Sequence, residues 1–265
     1  MTRTISTGMA GILEQLELEQ PTLVTTADLD RMLGDEGIKT PSRIVAARLR
    51  EKGWFIPTDQ RGVWEFVPAA VAGALSSNDP LLPLKSFLLK SPDTYCGLTF
   101  QAAAWAYEFA DRIPLRLEVA VESQGAKRRM PDSVAPFVFA SVLPYEEIRG
   151  VPVLAIESVL VHLTSKPSAV RSWQSVLEWL PEFAYEAQEG KILEELKGRV
   201  FTVTSRTGYL LQGLRPDLSE AIHEAYPPQS KTRFGPRSSS IRHDSYWQIA
   251  DTVLPFDPKS LEKVL

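Results

Sequence analysis

Val24-Thr25-Thr26-Ala27-Asp28-Leu29, Thr40-Pro41-Ser42-Arg43, Gly53-Trp54-Phe55 and Arg61-Gly62-Val63-Trp64 follow one another between Val24 and Phe66. In that order they spell helix, turn, cationic helix and β-hairpin. Val24 is an apolar anchor, and Thr25 stands three residues before the Asp28 carboxylate. That spacing is close to a capping box, so a helix is expected over 26–33, with Gly34 as its cap. Thr40 as N-cap and Pro41 as first helical residue open the next helix. It is expected to run to about Lys52, with Gly53 ending it. Trp54–Ile56 and Val63–Phe66 read as two short strands joined across Pro57–Gly62. The plan is that of a winged helix-turn-helix, whose second helix enters a DNA major groove.

Steps of 100° around the third helix put Val45, Ala46 and Leu49 on one side, facing the core. Arg43, Ala47, Arg50 and Glu51 turn away, with Ile44 and Arg48 on the other flank. A small Ala47 within that face allows close approach to base edges, and arginine is the commonest reader of guanine. Arg43, Ala47, Arg48 and Arg50 are therefore the expected groove residues. Lys39, Thr40, Ser42 and the wing-tip Arg61 are expected to hold phosphates and fix the register.

The whole chain does not advertise nucleic acid. Its 265 residues carry a net charge of −4. Residues 1–66 hold 8 Lys+Arg against 10 Asp+Glu, so DNA contact must come from local clustering: Lys39, Arg43, Arg48, Arg50 and Lys52, opposed within the run only by Glu51. The length predicts about two domains at roughly 100–200 residues each. One cysteine, Cys96, excludes an intrachain disulfide and a cysteine-based zinc cluster and fits a reducing cytoplasm. Neither a signal core after Met1-Thr2-Arg3-Thr4-Ile5 nor an apolar run near the ~20 residues of a membrane span is present. The expectation is a cytoplasmic protein with no membrane contact.

Working outward, Met9, Ile12, Leu16 and Leu18 predict a first helix over about 8–18, stopped by Pro21. Residues 68–79 read as a linker. Leu81–Leu89 and Leu98–Phe109 look helical, and Leu115–Val121, Phe137–Val142 and Val151–Ala155 look like strands. Helices are expected at Glu157–Thr164, Trp173–Leu180, Gln188–Lys197, Thr204–Leu214 and Leu218–Ala225, with Pro181 ending or kinking the second. Tyr246–Leu254 is expected to close the sheet. The fold class is α+β: a winged helix over 1–67, the linker, and a larger mixed α/β domain over 80–265.

Several pieces in order resemble the AbiEi family of antitoxins and transcriptional regulators. They are Val24–Leu29, Arg48-Leu49 with Gly53-Trp54, Gly62-Val63-Trp64, Asp79-Pro80, and Tyr95 with Ala102–Trp105. Arg112-Ile113-Pro114, Ala155-Ile156-Glu157 and Gly208-Tyr209-Leu210-Leu211 complete the set. The resemblance implies an antitoxin that binds operator DNA at repeats upstream of its own operon and represses it. It also implies counteraction, direct or indirect, of a nucleotidyltransferase-like toxin of the AbiEii type. Gln60-Arg61-Gly62 stands where many relatives carry more arginine. No reaction and no cofactor is implied.

Other residues weigh against a catalytic or metal site. His162, in an apolar helix, reads as packed, and His223, three residues after Glu220, as a local ion pair; His243 sits in a polar loop. No His-x-x-x-His or Cys-His spacing occurs. A metal-dependent nuclease with a DNA-targeting head would have to use Glu118 and Glu122, whose strand parity and distance from Lys127 match no nuclease pattern. A stand-alone regulator with a ligand-sensing second domain is the other alternative. Lys127-Arg128-Arg129, Lys231-Thr232-Arg233 and Arg237–Arg242 read as solvated loops or as a surface meeting DNA or a partner. Trp173, Val176, Leu177 and Leu180 form a core stripe, and Trp179, off the stripe, packs under a neighbour or is exposed as a binding hot spot.

Overall fold

The computed structural model describes residues 9–70 and 77–261. The expected N-terminal reading before Met9 and the middle of the expected linker lie outside them. Two compact units divide the chain, Met1–Thr94 and Tyr95–Leu265.

The first unit contains α1 (Ala10–Glu19), β1 (Leu23–Thr25), α2 (Thr26–Asp35), α3 (Ser42–Glu51), β2 (Phe55–Pro57), β3 (Val63–Phe66) and α4 (Leu82–Lys90). Helix, turn, helix and hairpin follow in the expected order. β1 was expected only as an apolar anchor. It pairs antiparallel with β3, making a three-stranded sheet in the order β1-β3-β2. α4, grouped by its sequence with the second segment, falls in this unit.

Thr25 forms the capping box of α2. Its hydroxyl accepts from the Asp28 amide at 3.2 Å, and its own amide donates to the Asp28 carboxylate at 2.9 Å. The helix passes through Gly34, the expected cap, and ends at Asp35, with Gly37 following the Glu36 cap. Gly37 has φ +67°, its amide donates to the Gly34 carbonyl, and the Ile38 amide donates to the Leu33 carbonyl. This is a Schellman ending, and the left-handed residue it needs is Gly37. α3 starts one residue later than expected, because Pro41 is extended (ψ 136°) and is itself the cap. Its carbonyl accepts from the Ile44 and Val45 amides. Gly53 ends α3 as expected, donating to the Arg50 carbonyl while the Trp54 amide donates to Leu49. Ile12, Leu16, Leu29, Met32, Val45, Leu49, Trp54, Phe55 and Phe66 form one core. Within it Trp54 stacks on Phe66 and Phe55 on Trp64.

In the second unit come β4 (Cys96–Leu98), α5 (Phe100–Ala106), β5 (Leu117–Val121), α6 (Gln124–Arg129), β6 (Val134–Val138), β7 (Glu146–Ile148) and β8 (Val151–Val153). The helices α7 (Ile156–Ser165), α8 (Trp173–Val176), α9 (Leu180–Glu186), α10 (Glu189–Leu196), α11 (Phe201–Leu211) and α12 (Pro216–Ala225) follow. The short strands β9 (Thr232–Phe234), β10 (Arg242–Asp244) and β11 (Ile249–Asp251) come last. A mixed five-stranded sheet runs β6-β5-β4-β8-β7, with β4 parallel to β8 and antiparallel to β5. The class is α+β, as expected.

α7 is buried on every side from Glu157 to Thr164, which makes it the central helix of the unit. Its Thr164 hydroxyl meets Thr207 of α11 at 2.7 Å. Gly208 of α11 faces the Trp247 indole so closely that a Cβ there would lie 2.1 Å from the ring.

Four sequence expectations differ from this architecture. Leu98 ends a strand, and its helix begins only at Phe100. The strand expected over Phe137–Val142 is β6, Val134–Val138, displaced toward the N-terminus at both ends. Trp173–Leu180 is two helices: Pro181 sits in the first turn of α9, where its missing amide is no loss, and so starts a helix instead of ending one. Ile249–Asp251 does not close the main sheet. It is the middle strand of a separate sheet, β10-β11-β9.

Candidate nucleic-acid interface

α3 buries Val45, Ala46 and Leu49 and turns Arg43, Ile44, Ala47, Arg48, Arg50 and Glu51 to solvent. Arg43, Ala47 and Arg50, four and three residues apart, share one outward stripe. Lys39, on the approach to the helix, and Arg61, in the hairpin loop, are exposed as well, and Thr40 is half-buried. None of Lys39, Arg43, Arg48, Arg50 and Arg61 forms a salt bridge with a described residue, whereas Arg31 of α2 stands 3.6 Å from Asp28. Five cations thus face water on one helix, its approach and its hairpin, none bridged to a described carboxylate, with Glu51 exposed beside them. Ser42, expected to hold a phosphate, is largely buried in the first turn of α3. The backbone amides of that turn are the groups open to a phosphate there.

The frame behind this face is tightly tied. The Thr26 amide and hydroxyl both donate to the Gly62 carbonyl, at 3.0 and 3.2 Å, joining the start of α2 to the base of the hairpin. Thr58 closes the loop: its hydroxyl donates to the Val63 carbonyl at 3.0 Å and accepts from the Gln60 amide. Arg61 therefore rides on a short, hydrogen-bonded loop.

In the second unit the residues weighed for catalysis do not converge. Glu118 of β5 is buried and accepts from the Gln101 amide at 2.8 Å. Burial pushes its carboxyl above the usual carboxylate range, against the pull of the Gln101 and Ala102 amides and Arg171. Glu118 lines a cavity of about 270 Å³ with Arg112, Arg171 and Trp179. Exposed Glu122 lines a different recess, beside Lys166, Lys197 and Arg199. No group of three or more His, Cys, Asp or Glu placed to hold a metal lies among the described residues.

His162 is fully buried, its Nδ1 2.8 Å from the Thr99 hydroxyl and its ring stacked on Phe139 at 4.3 Å. Burial holds its pKa well below the ordinary histidine value, with Lys166 and Arg199 adding to the shift. His223 stacks on Tyr246 at 4.0 Å instead of pairing with Glu220. Trp173 is core, as its stripe predicts. Trp179 is fully buried, donating to the Gln101 side chain at 2.6 Å, so it offers no exposed hot spot.

Residues 95–213 match the family model described as the AbiEi antitoxin C-terminal domain. This segment belongs to the AbiEi antitoxin family. The chain therefore carries an antitoxin domain. The AbiEi segment begins where the second unit begins, and it takes in the main sheet and the helices through α11. Over its full length the chain is similar in fold to the crystal structure of the Rv2827c protein from Mycobacterium tuberculosis. That likeness has a TM-score of 0.77 at 22% identity and covers 96% of this chain and 94% of the other. No curated protein matches the chain's sequence. Among the described residues no helix is long and apolar enough to cross a membrane.

Beyond the end of the AbiEi match, β9 and its neighbours meet α11 at a recess of about 500 Å³ lined by Arg206, Lys231, Arg233 and Arg237. Reading the sequence missed Arg206. The signal is visible in retrospect, because it is the one charged residue in the α11 run Phe-Thr-Val-Thr-Ser-Arg-Thr-Gly-Tyr-Leu-Leu. Lys127, Arg128 and Arg129, read as loop, lie in α6.

Proposed function

We propose that the protein is a DNA-binding antitoxin and autorepressor of a toxin–antitoxin operon in the cytoplasm. The first unit acts as a winged helix-turn-helix on double-stranded operator DNA at repeats upstream of the operon. The AbiEi unit counteracts a nucleotidyltransferase-like toxin, and the protein itself performs no reaction.

The observation that carries the reading is a pairing of features in one chain. An AbiEi antitoxin domain stands with a helix-turn-helix whose second helix turns unneutralised Arg43, Arg48 and Arg50 outward around Ala47. Small Ala47 leaves room for bases, and the two arginines on its stripe suit guanine edges. Lys39, Thr40 and Arg61 flank them as phosphate holders, together with the backbone amides at Ser42. Separation of Glu118 from Glu122 into two recesses disfavours the nuclease reading.

The test is co-expression with the adjacent toxin gene beside a reporter driven by the operon's own promoter. Restored growth and a silenced reporter are expected. Growth arrest that the protein does not relieve would overturn the antitoxin reading, and an unchanged reporter would overturn the autorepressor reading.

A further inference from the structure

Arg206, Lys231, Arg233 and Arg237 line the α11–β9 recess together with Thr232, Gly235 and Ala250, and no carboxylate is among the lining residues. Nearby cations of the same region are neutralised. Arg242 donates to the Asp251 carboxylate at 2.7 Å, and Lys259 stands 2.8 Å from Asp244. The four recess cations have no salt-bridge partner among the described residues.

Arg206 is the deepest of them. It is half-buried, where Lys231, Arg233 and Arg237 are exposed. Its guanidinium is held by neutral acceptors only: Nε donates to the Arg233 carbonyl at 2.6 Å and Nη1 to the Thr164 carbonyl at 3.4 Å. Burial without a counter-charge lowers its pKa. A positive charge kept partly out of water and fixed in direction, with three more around it, is a standing electrostatic cost that an entering anion relieves. Guanidinium forks suit phosphate oxygens, and the lysine adds a point charge. The recess has the volume of a small-molecule site, and four positive charges call for a ligand with several negative ones.

We infer that this recess binds an oligophosphate group, free or as the tail of a larger small molecule. Arg206 holds the innermost phosphate, and Lys231, Arg233 and Arg237 hold the outer ones. The site is independent of α3 and of the proposed operator contact.

Calorimetric titration of the full chain with inorganic tripolyphosphate and with adenosine triphosphate tests it. Saturable binding of both is expected. Arg206→Gln is expected to weaken it at least tenfold. Lys231→Ala/Arg233→Ala/Arg237→Ala, which changes only exposed side chains and keeps the Arg233 carbonyl, should do the same. Arg43→Ala/Arg50→Ala should leave it unchanged. Absence of saturable binding, or equal binding by the triple variant, would overturn the inference. So would a triple variant that loses affinity for duplex DNA while the wild type ignores both small probes, since the recess would then serve a nucleic-acid backbone.

Discussion

Thr25 sets the entry into α2 through one hydroxyl and one amide. The capping box it makes with Asp28 satisfies two backbone groups that would otherwise be orphaned. Thr25→Ala removes the hydroxyl half, and a loss of about 1 kcal/mol in urea unfolding of the full chain is expected. An unchanged midpoint would show that water replaces the cap. Glu195 is a heavier case. Its carboxylate is fully buried and accepts from the Ser158 hydroxyl at 2.8 Å and from the Val142 and Leu143 amides at 3.0 Å, and it pairs with Arg199. Glu195→Ala strands those donors and leaves Arg199 without its counter-charge. The expected loss is about 3–5 kcal/mol, read by thermal or urea unfolding.

His162 gives a pH dependence with a definite sign. Folded, it is held neutral, with its pKa well below the ordinary value, whereas the unfolded chain protonates it near pH 6.5. Below about pH 6.5 the unfolded state therefore binds a proton that the folded state refuses, so stability falls on acidification by up to about 1.4 kcal/mol per pH unit. Glu118 acts oppositely, because its raised pKa lets the folded state keep a proton that the unfolded chain releases. Acid thus strengthens the fold just above the ordinary carboxylate range. Urea unfolding at pH 7.5 and pH 5.5, compared between wild type and a histidine variant, separates the histidine from Glu118. The wild type is expected to lose stability between them and His162→Phe, which keeps the aromatic stack, to lose less. Equal losses would contradict the assignment.

Among elements, the two glycine-ended segments of the first unit should differ measurably. Gly37 and Gly62 both have positive φ, +67° and +76°. A Cβ at Gly37 meets nothing within 4 Å, whereas at Gly62 it would lie 2.6 Å from the Thr26 hydroxyl oxygen. Gly37→Ala is expected to cost about 1–2 kcal/mol, the left-handed penalty alone. Gly62→Ala should cost more, because the link between α2 and the hairpin must shift too. Thermal unfolding of both variants gives the comparison, and equal losses would mean that Thr26 yields freely.

These elements also show what can be read from sequence. The capping box, the α3 core stripe and Gly53 were legible, because each depends on neighbours within one or two turns. The end of α2 was misplaced because Gly34 and Gly37 are both local candidates. Only the seating of Ile38 on the core, with its amide on Leu33, selects the second. β1 and β4 were missed for a related reason: three-residue strands carry almost no periodicity, and the partners that fix them, β3 for β1 and β5 for β4, are not sequence neighbours. Pro181 has two meanings, helix stop and helix start, and a turn broken after Val176 settles it as a start. At the candidate site, the outward positions of Arg43, Ala47, Arg48 and Arg50 followed from 3.6-residue periodicity. Burial of Ser42 did not, because the cap moved to Pro41.

For the whole molecule, charge decides how the proposed operator contact would be held. A net charge of −4 on 265 residues gives no general attraction to a polyanion. Affinity then depends on the few cations of α3, its approach and the hairpin loop, and it is expected to fall steeply with salt. Two copies on repeated sites would compensate for a small contact area through effective concentration. An account in which the AbiEi unit supplies the antitoxin activity and the first unit the operator contact also separates the two by mutation. Loss of DNA binding through α3 leaves growth rescue intact in the co-expression assay.

The most direct test is fluorescence anisotropy of a duplex carrying the operon's upstream repeats, titrated with wild type and with Arg43→Ala/Arg50→Ala across a salt series. The wild type is expected to bind with a negative log–log salt slope of about 0.9 per phosphate neutralised. The double variant is expected to lose specific binding, because both arginines are assigned to guanine edges, while the salt slope set by the phosphate holders Lys39 and Arg61 changes little. Equal affinity of the two proteins for the repeat duplex would contradict the placement of α3 on DNA.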